Sequence, residues 1–382
     1  MFDEYLLDIG YSKEQINIIR SYNNTSSSTL LYNIKNLYNY LHQNNINDNE
    51  FINITLTYPS ILLESIDNIK LKLYELSTFG FNKLDSINIL KTYPYILDIS
   101  IDKIKNRLNK FIDLGFSKES IIYMITDNAY LLRGDFSSYK RRFDFFIDYG
   151  YSKKCTLRIF TYVSELFDCN ITIIKNKIND FKTIGFNDTD IIKITSLIPD
   201  LFLTSSNIIT DKFNYLLSYG YMDIDIIQII KKIPLLLKSN YLENITNKLD
   251  NLNKLGFSKE EIILMTCNNP YIFIYSEDNI TSKFNSLKEV IDKKNLIKVC
   301  SSFPLIFGYS LNNVLDKINY YDKIKYSYID NPKVLIYPLE LIKARYFYLT
   351  KNNHKLDNLF LEDYKFYKKY KIKTTKLLEG DF

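Results

Sequence analysis

A cation recurs in this chain at one fixed register, and that spacing is the first clue to chemistry. Lys72, Arg107, Arg142, Lys177, Lys212, Lys283, Lys317 and Arg345 each stand 13 residues after a position that is usually proline; in one longer unit a spacing of 14 gives Lys248. Equivalent positions of a tandem array fall in line when its units stack. A line of cations suits a sugar-phosphate backbone, because each neutralised phosphate releases condensed counterions. No acidic residue takes the position, and Lys70, Lys105, Lys140, Arg141, Lys175 and Lys343 add charge beside it. The nucleic-acid-binding set expected here is therefore the register cations together with Lys140, Arg141 and Lys343. A structural role competes with this one, in which each stem covers the neighbouring unit while its charged head meets water. Arg107, Arg141 and Arg142 are the best candidates for bidentate contacts to bases, since lysines act as point charges.

Other chemistries find less in the sequence. The phosphate-cradling GxxxxGK[ST] and GxGxxG patterns and the zinc-binding HExxH pattern are all absent. His42 and His354 are far apart in an array where sequence distance becomes spatial distance, so they cannot share a catalytic site. Cys155, Cys169, Cys267 and Cys300 lack metal-ligand spacing and read as reduced core residues. Carboxylates such as Glu119, Asp190 and Glu261 are explained by first-turn caps and the helix dipole. No enzymatic activity, cofactor or metal is expected. The 33 Tyr and 25 Phe raise base stacking at Tyr320–Tyr321, Tyr346–Tyr348 and Tyr364–Tyr370, but most rings fall at apolar positions and fill a core that has no Trp.

The elements that position these residues follow from punctuation. Gly recurs at 80, 115, 150, 185, 220 and 256, each time followed by Phe or Tyr. The intervals of 35, 35, 35, 35 and 36 mark a helical repeat array. Gly ends one helix in the left-handed conformation, and an N-cap with an acid or amide three residues on starts the next: Ser12 with Gln15, Asn47 with Glu50, Asn82 with Asp85, Ser258 with Glu261. Prolines at 59, 94, 199, 234, 270, 304 and 332 end that helix and start a short 3₁₀ turn carrying two large apolar residues. A second, longer helix then runs to the next Gly. Asn45 holds the Gly register of an early unit. Ala129 and Ser164 replace the proline in two units, where straighter helices are expected. Asp292-Lys293-Lys294 stands where another Gly-aromatic pair is due.

Composition sets the outer bounds. The chain has 382 residues, an apolar fraction of 46% and a formal charge of +5, enough to bury a core and too mild to decide a partner unless the charge gathers on one face. No apolar run reaches 18 residues, so no membrane span is expected. The N-terminal MFDEYLLDIGYSKEQ is neither a secretory signal nor an Arg-rich presequence. A cytoplasmic site of action is expected, or an organellar matrix if a targeting segment precedes this sequence.

Written as GF[S/N]xxE, helix, PxLL/F, second helix, and closing on NPKVLIYPLELIKARYFYL (331–349), the chain resembles the mitochondrial transcription termination factor (mTERF) family from about Gly10 to Leu349. The resemblance implies an all-α solenoid of tandem repeats, each two α-helices and a short 3₁₀ helix, curved into a superhelix with a concave basic face. It implies residues 1–349 as one solenoid of about nine repeats, the last ones abbreviated, and 350–382 as a basic capping or tail segment. It further implies a non-enzymatic monomer that binds double-stranded DNA and acts in transcription termination or regulation. Structured RNA in ribosome assembly or RNA processing, a protein partner at the terminal repeats, and a pure interaction scaffold stay open as alternatives.

Overall fold

The computed structural model describes residues 2–22, 26–238 and 241–380. All regular structure among them is α-helical or 3₁₀, in two compact units, Met1–Thr204 and Ser205–Phe382.

The first unit holds α1 (Phe2–Ile9), α2 (Lys13–Ser21), α3 (Ser27–His42), α4 (Asp48–Thr57), α5 (Ile66–Thr78) and α6 (Lys83–Thr92). It continues through α7 (Ile101–Leu114), α8 (Lys118–Asp127), α9 (Phe136–Tyr149), α10 (Lys153–Tyr162), α11 (Ile171–Ile184) and α12 (Asp188–Leu197). Even-numbered helices are the first helices of repeats and odd-numbered ones the second. From α4 onward a 3₁₀ turn follows each first helix, as at Pro59–Leu63 and Pro94–Asp98. First helices pack on first helices (α4 on α6, α6 on α8, α8 on α10) and second on second (α1 on α3, α3 on α5, α7 on α9), so the repeats stack as an α-solenoid.

The second unit holds α13 (Ser206–Tyr219), α14 (Asp223–Lys232), α15 (Tyr241–Leu255), α16 (Lys259–Asn268) and α17 (Glu277–Lys288). After them come α18 (Lys293–Ser302), α19 (Leu311–Lys323), α20 (Leu339–Lys351), α21 (Asp363–Tyr370) and α22 (Thr374–Glu379). The same stacking recurs, α14 on α16, α16 on α18 and α15 on α17, and α22 packs back on α20. Phe366 and Leu377 anchor the last two helices by burial, while Lys365, Lys368 and Lys369 are exposed.

Local signals build the repeat as its spacing predicts. All four capping boxes form, each N-cap side chain accepting from the N3 amide while the N3 side chain accepts from the N-cap amide. Gly115 ends α7 at φ +111° and Gly150 ends α9 at φ +117°, where a Cβ would be strained. Asn45 takes the same left-handed place at φ 64°. The expected straightening at Ala129 and Ser164 does not occur. Asn128 (φ −132°, ψ 84°) and Val163 (φ −131°, ψ 70°) break their helices as Tyr58 (φ −136°, ψ 77°) does before a proline. Burial of Leu131, Leu132, Leu166 and Phe167 draws the chain inward in both, so packing enforces the break and proline merely fits it. Near the C-terminus the overdue Gly-aromatic pair is Val290-Ile291: Ile291 is buried, and Asp292 is the N-cap of α18.

Adjacent repeats are matched at a rung in the core. Where the residue after the Gly register is Tyr, its hydroxyl meets a threonine of the next first helix: Tyr11 with Thr55, Tyr151 with Thr195, Tyr221 with Thr266. Where it is Phe81, Phe116 or Phe186, the equivalent residue is Ile125, Phe160 or Ile230. Thr195 donates its own hydrogen to the Ile191 carbonyl (2.7 Å), so Tyr151 is the donor of their shared bond. Thr195→Val therefore orphans a buried phenol and is expected to cost about 1–3 kcal/mol. The double variant Tyr151→Phe/Thr195→Val recreates the apolar rung and should recover most of that loss in urea denaturation.

Burial also raises the phenol pKa values of Tyr11, Tyr151 and Tyr221 above the ordinary value of 10.0, with the threonine bonds countering part of the effect. Above pH 10 the unfolded chain loses these protons and the folded chain keeps them, so stability falls as pH rises. The urea midpoint is expected to hold up to about pH 10 and then decline, more gently in Tyr151→Phe.

Candidate nucleic-acid interface

The register cations lie in the seams between repeats. Each 3₁₀ turn ends in a backbone carbonyl with no helical partner, just before the N-cap of the following second helix. Lys72 on α5 donates to the Ile99 carbonyl (2.7 Å), and Arg107 on α7 and Arg142 on α9 donate to those of Gly134 and Cys169. In the second unit Lys212 donates to Lys238, Lys248 to Tyr275, Lys283 to Phe307 and Tyr309 (2.6 Å each) and Lys317 to Leu335 (2.7 Å). Arg345 closes the series with bonds to the carbonyls of Leu359 (3.1 Å) and Leu361 (2.6 Å) and to Asp363 (2.6 Å). Its guanidinium lies 4.5 Å from the Phe366 ring centre.

Burial follows from this geometry. Lys177, Lys212, Lys248, Lys317 and Arg345 are at most 3% exposed, and Lys72, Arg107, Arg142 and Lys283 are half-buried. Loss of hydration pushes the Lys212 ammonium down to about 8 and lowers Lys177, Lys248, Lys283 and Lys317 from the ordinary lysine value. The stripe expected at this register thus faces neighbouring repeats rather than solvent. Its members act as inter-repeat caps, a role closer to the structural alternative, with the head bonded to backbone rather than to water.

Of the residues nominated from sequence, Lys140, Arg141 and Lys343 are exposed. Lys343 pairs with Glu340 (2.8 Å) and Lys140 with Asp144 (2.6 Å), both at the surface. Lys140 belongs to a second series. Lys35, Lys70, Lys105, Lys140 and Lys175 stand 35 residues apart on α3, α5, α7, α9 and α11, and all five are exposed. They sit two residues before the seam position, which on a helix is a turn of about 200°. Three of them lie over a ring of the preceding second helix: Lys35 over Tyr5 (5.1 Å), Lys70 over Tyr40 (5.5 Å) and Lys175 over Phe145 (5.5 Å). The rings hold the lysine stems while the heads reach water. Lys35 was missed from sequence because its repeat has no proline to mark the register, although the 35-residue interval alone would have found it. In the second unit the same register reads Thr210, Thr246, Thr281 and Leu315 before lysine returns at Lys343, so only the first unit carries the series unbroken.

Of the tyrosines offered for stacking, Tyr364 and Tyr367 are exposed, and those nearer the core are engaged elsewhere. Tyr321 is fully buried, Tyr320 packs edge-on against Tyr346 (6.2 Å), and Tyr348 lies against Phe366 and Tyr370. Among the described residues no group of three or more His, Cys, Asp or Glu side chains is placed to hold a metal ion, and no helix is long and apolar enough to cross a membrane.

Stacked repeats of two α-helices and a 3₁₀ turn, locked by seam cations, define a helical-repeat solenoid. The mTERF family model matches residues 3–149 and 140–324, and the chain belongs to the mTERF family. No curated protein matches it. Membership and fold together support a general nucleic-acid-binding or regulatory role and a non-enzymatic one.

Proposed function

We propose that this protein binds double-stranded DNA through Lys35, Lys70, Lys105, Lys140 and Lys175, and that it regulates transcription, including its termination. The supporting observation is the exposure of five lysines at one-repeat intervals on successive second helices. Helices packed side by side are about 8–10 Å apart, so the charges recur at a spacing that follows a backbone without reading bases. Arg141, one residue from the series and exposed, is the residue best placed to add a bidentate contact. The protein acts as a monomer without a cofactor, in the cytoplasm or an organellar matrix. Fluorescence titration against a duplex DNA and a hairpin RNA of matched length, followed by crosslinking in cells, tests the choice of nucleic acid. Preference for the hairpin would move the function to RNA processing or ribosome assembly.

A second reading applies to the second unit. Its 3₁₀ turns expose Leu235 (40%), Tyr271 (48%) and Leu305 (41%) at one repeated position, and of the lysine series it keeps only Lys343. These features favour a protein contact there, in keeping with a partner at the later repeats. Co-purification that survives nuclease treatment and is lost with Tyr271→Glu/Leu305→Glu checks this.

A further inference from the structure

One cleft gathers around a seam cation a set of charges that the other repeats lack. Between α7 and the turn at Ala129–Leu132 lies a cavity of about 540 Å³ that brings together Lys103, Asn106, Arg107, Lys110 and Arg133. Lys103, Asn106, Arg107 and Lys110 share one face of α7 by their three- and four-residue spacing. Arg133 enters from the following turn. Arg107 recurs as the seam cations Lys72 and Arg142, but the cations gathered around it do not recur. The Lys103 register reads Asn68 and Ser138 in the flanking repeats, the Lys110 register Glu75 and Phe145, and the Arg133 register Asp98 and Asp168.

The cations are held open toward a ligand. Arg107 spends one terminal nitrogen on the Gly134 carbonyl, while its Nη1 is buried without a hydrogen-bond partner. Phe136 lies beneath both Arg107 (5.4 Å) and Lys110 (5.7 Å), and Tyr95 beneath Arg133 (6.0 Å). Two carboxylates also line the cavity, Asp98 and Asp102. Asp98 accepts a hydrogen bond from Tyr58 (2.5 Å). Four cations against two carboxylates leave the cleft positive, and cations converging from a helix face and the following turn favour an oxyanion with several acceptors.

We infer that this cleft is a phosphate-binding site. Within the function proposed above, on which this step rests, it takes one phosphate of the bound strand and so fixes the nucleic acid's position along the otherwise uniform lysine series. The same chemistry would take the phosphate of a free nucleotide.

Calorimetric titration of the full chain with adenosine 5′-monophosphate, adenosine and the dinucleotide ApA tests the site without a duplex. Saturable binding of the monophosphate, none of adenosine, and at least ten-fold weaker binding in Lys103→Gln/Arg133→Gln are expected. Binding of ApA identifies a backbone phosphate, whereas binding of the monophosphate alone identifies a terminal or free one. Both altered residues are exposed, and an unchanged melting temperature verifies folding. No saturable binding to the wild-type chain, or equal binding to the variant, overturns the inference. Lys70→Gln/Lys140→Gln separates the two claims: if it leaves duplex binding intact, the lysine series fails, and the nucleotide titration still decides the cleft.

Discussion

Replacing Lys70, Lys105, Lys140 and Lys175 together by Gln is expected to flatten the salt dependence of duplex binding while leaving the fold unchanged. Each phosphate contact contributes about −0.9 to the log-log slope on B-DNA, so four lost contacts reduce it by about 3.6. If variant and wild type bind alike near 1 M salt, that difference is roughly a thousand-fold in affinity at 0.15 M. All four side chains are exposed, and substitutions of this kind usually change stability by less than about 0.5 kcal/mol. The buried register should behave in the opposite way. Lys212→Met and Lys248→Met should leave the slope alone and lower the melting temperature, because a seam carbonyl left unpaired costs about 1–3 kcal/mol. An unaltered slope in the quadruple variant would remove the exposed series from the interface.

Arg345→Ala is expected to be the most damaging single substitution, at about 3–5 kcal/mol. It orphans two carbonyls on the chain between α20 and α21, deprives Asp363 of its partner and empties a fully buried site against Phe366. The loss should be local at first. Limited proteolysis should cut near 352–362 before any other described segment, and α21 and α22 should detach from α20. Arg345→Lys retains one charged donor and should fall between. Resistance of the Ala variant equal to wild type would show that the C-terminal helices hold without this residue.

The repeat was legible because its signals are local. A capping box such as Ser258 with Glu261 declares itself within four residues, and Gly115 or Gly150 marks a helix end that few other residues can form. The candidate interface was only half legible, because a period identifies equivalent positions without saying which way they face. Arg107 and Lys105 share the 35-residue recurrence, yet one turns into the seam and the other to solvent. Two sequence signs separate them. The buried register tolerates both Arg and Lys and runs through both units, as a cap for a constant carbonyl must. The exposed register changes to Thr210, Thr246, Thr281 and Leu315 before Lys343 in the second unit, as a surface free to vary does. Ala129 and Ser164 teach a related lesson, since buried Leu131 and Leu166 break those helices without proline's help.

The seam bonds give the array a polarity. Every bond traced runs from a side chain of one repeat to the backbone of the repeat that follows it in the chain. Shortening the protein from its beginning would uncover carbonyls, which water satisfies at little cost. Shortening it from its end would leave an ammonium or guanidinium in an apolar groove with its acceptor gone. Nested deletions should therefore be tolerated from one terminus and rejected from the other, and a nascent chain leaving the ribosome would hold each newest repeat unlocked until its successor emerges.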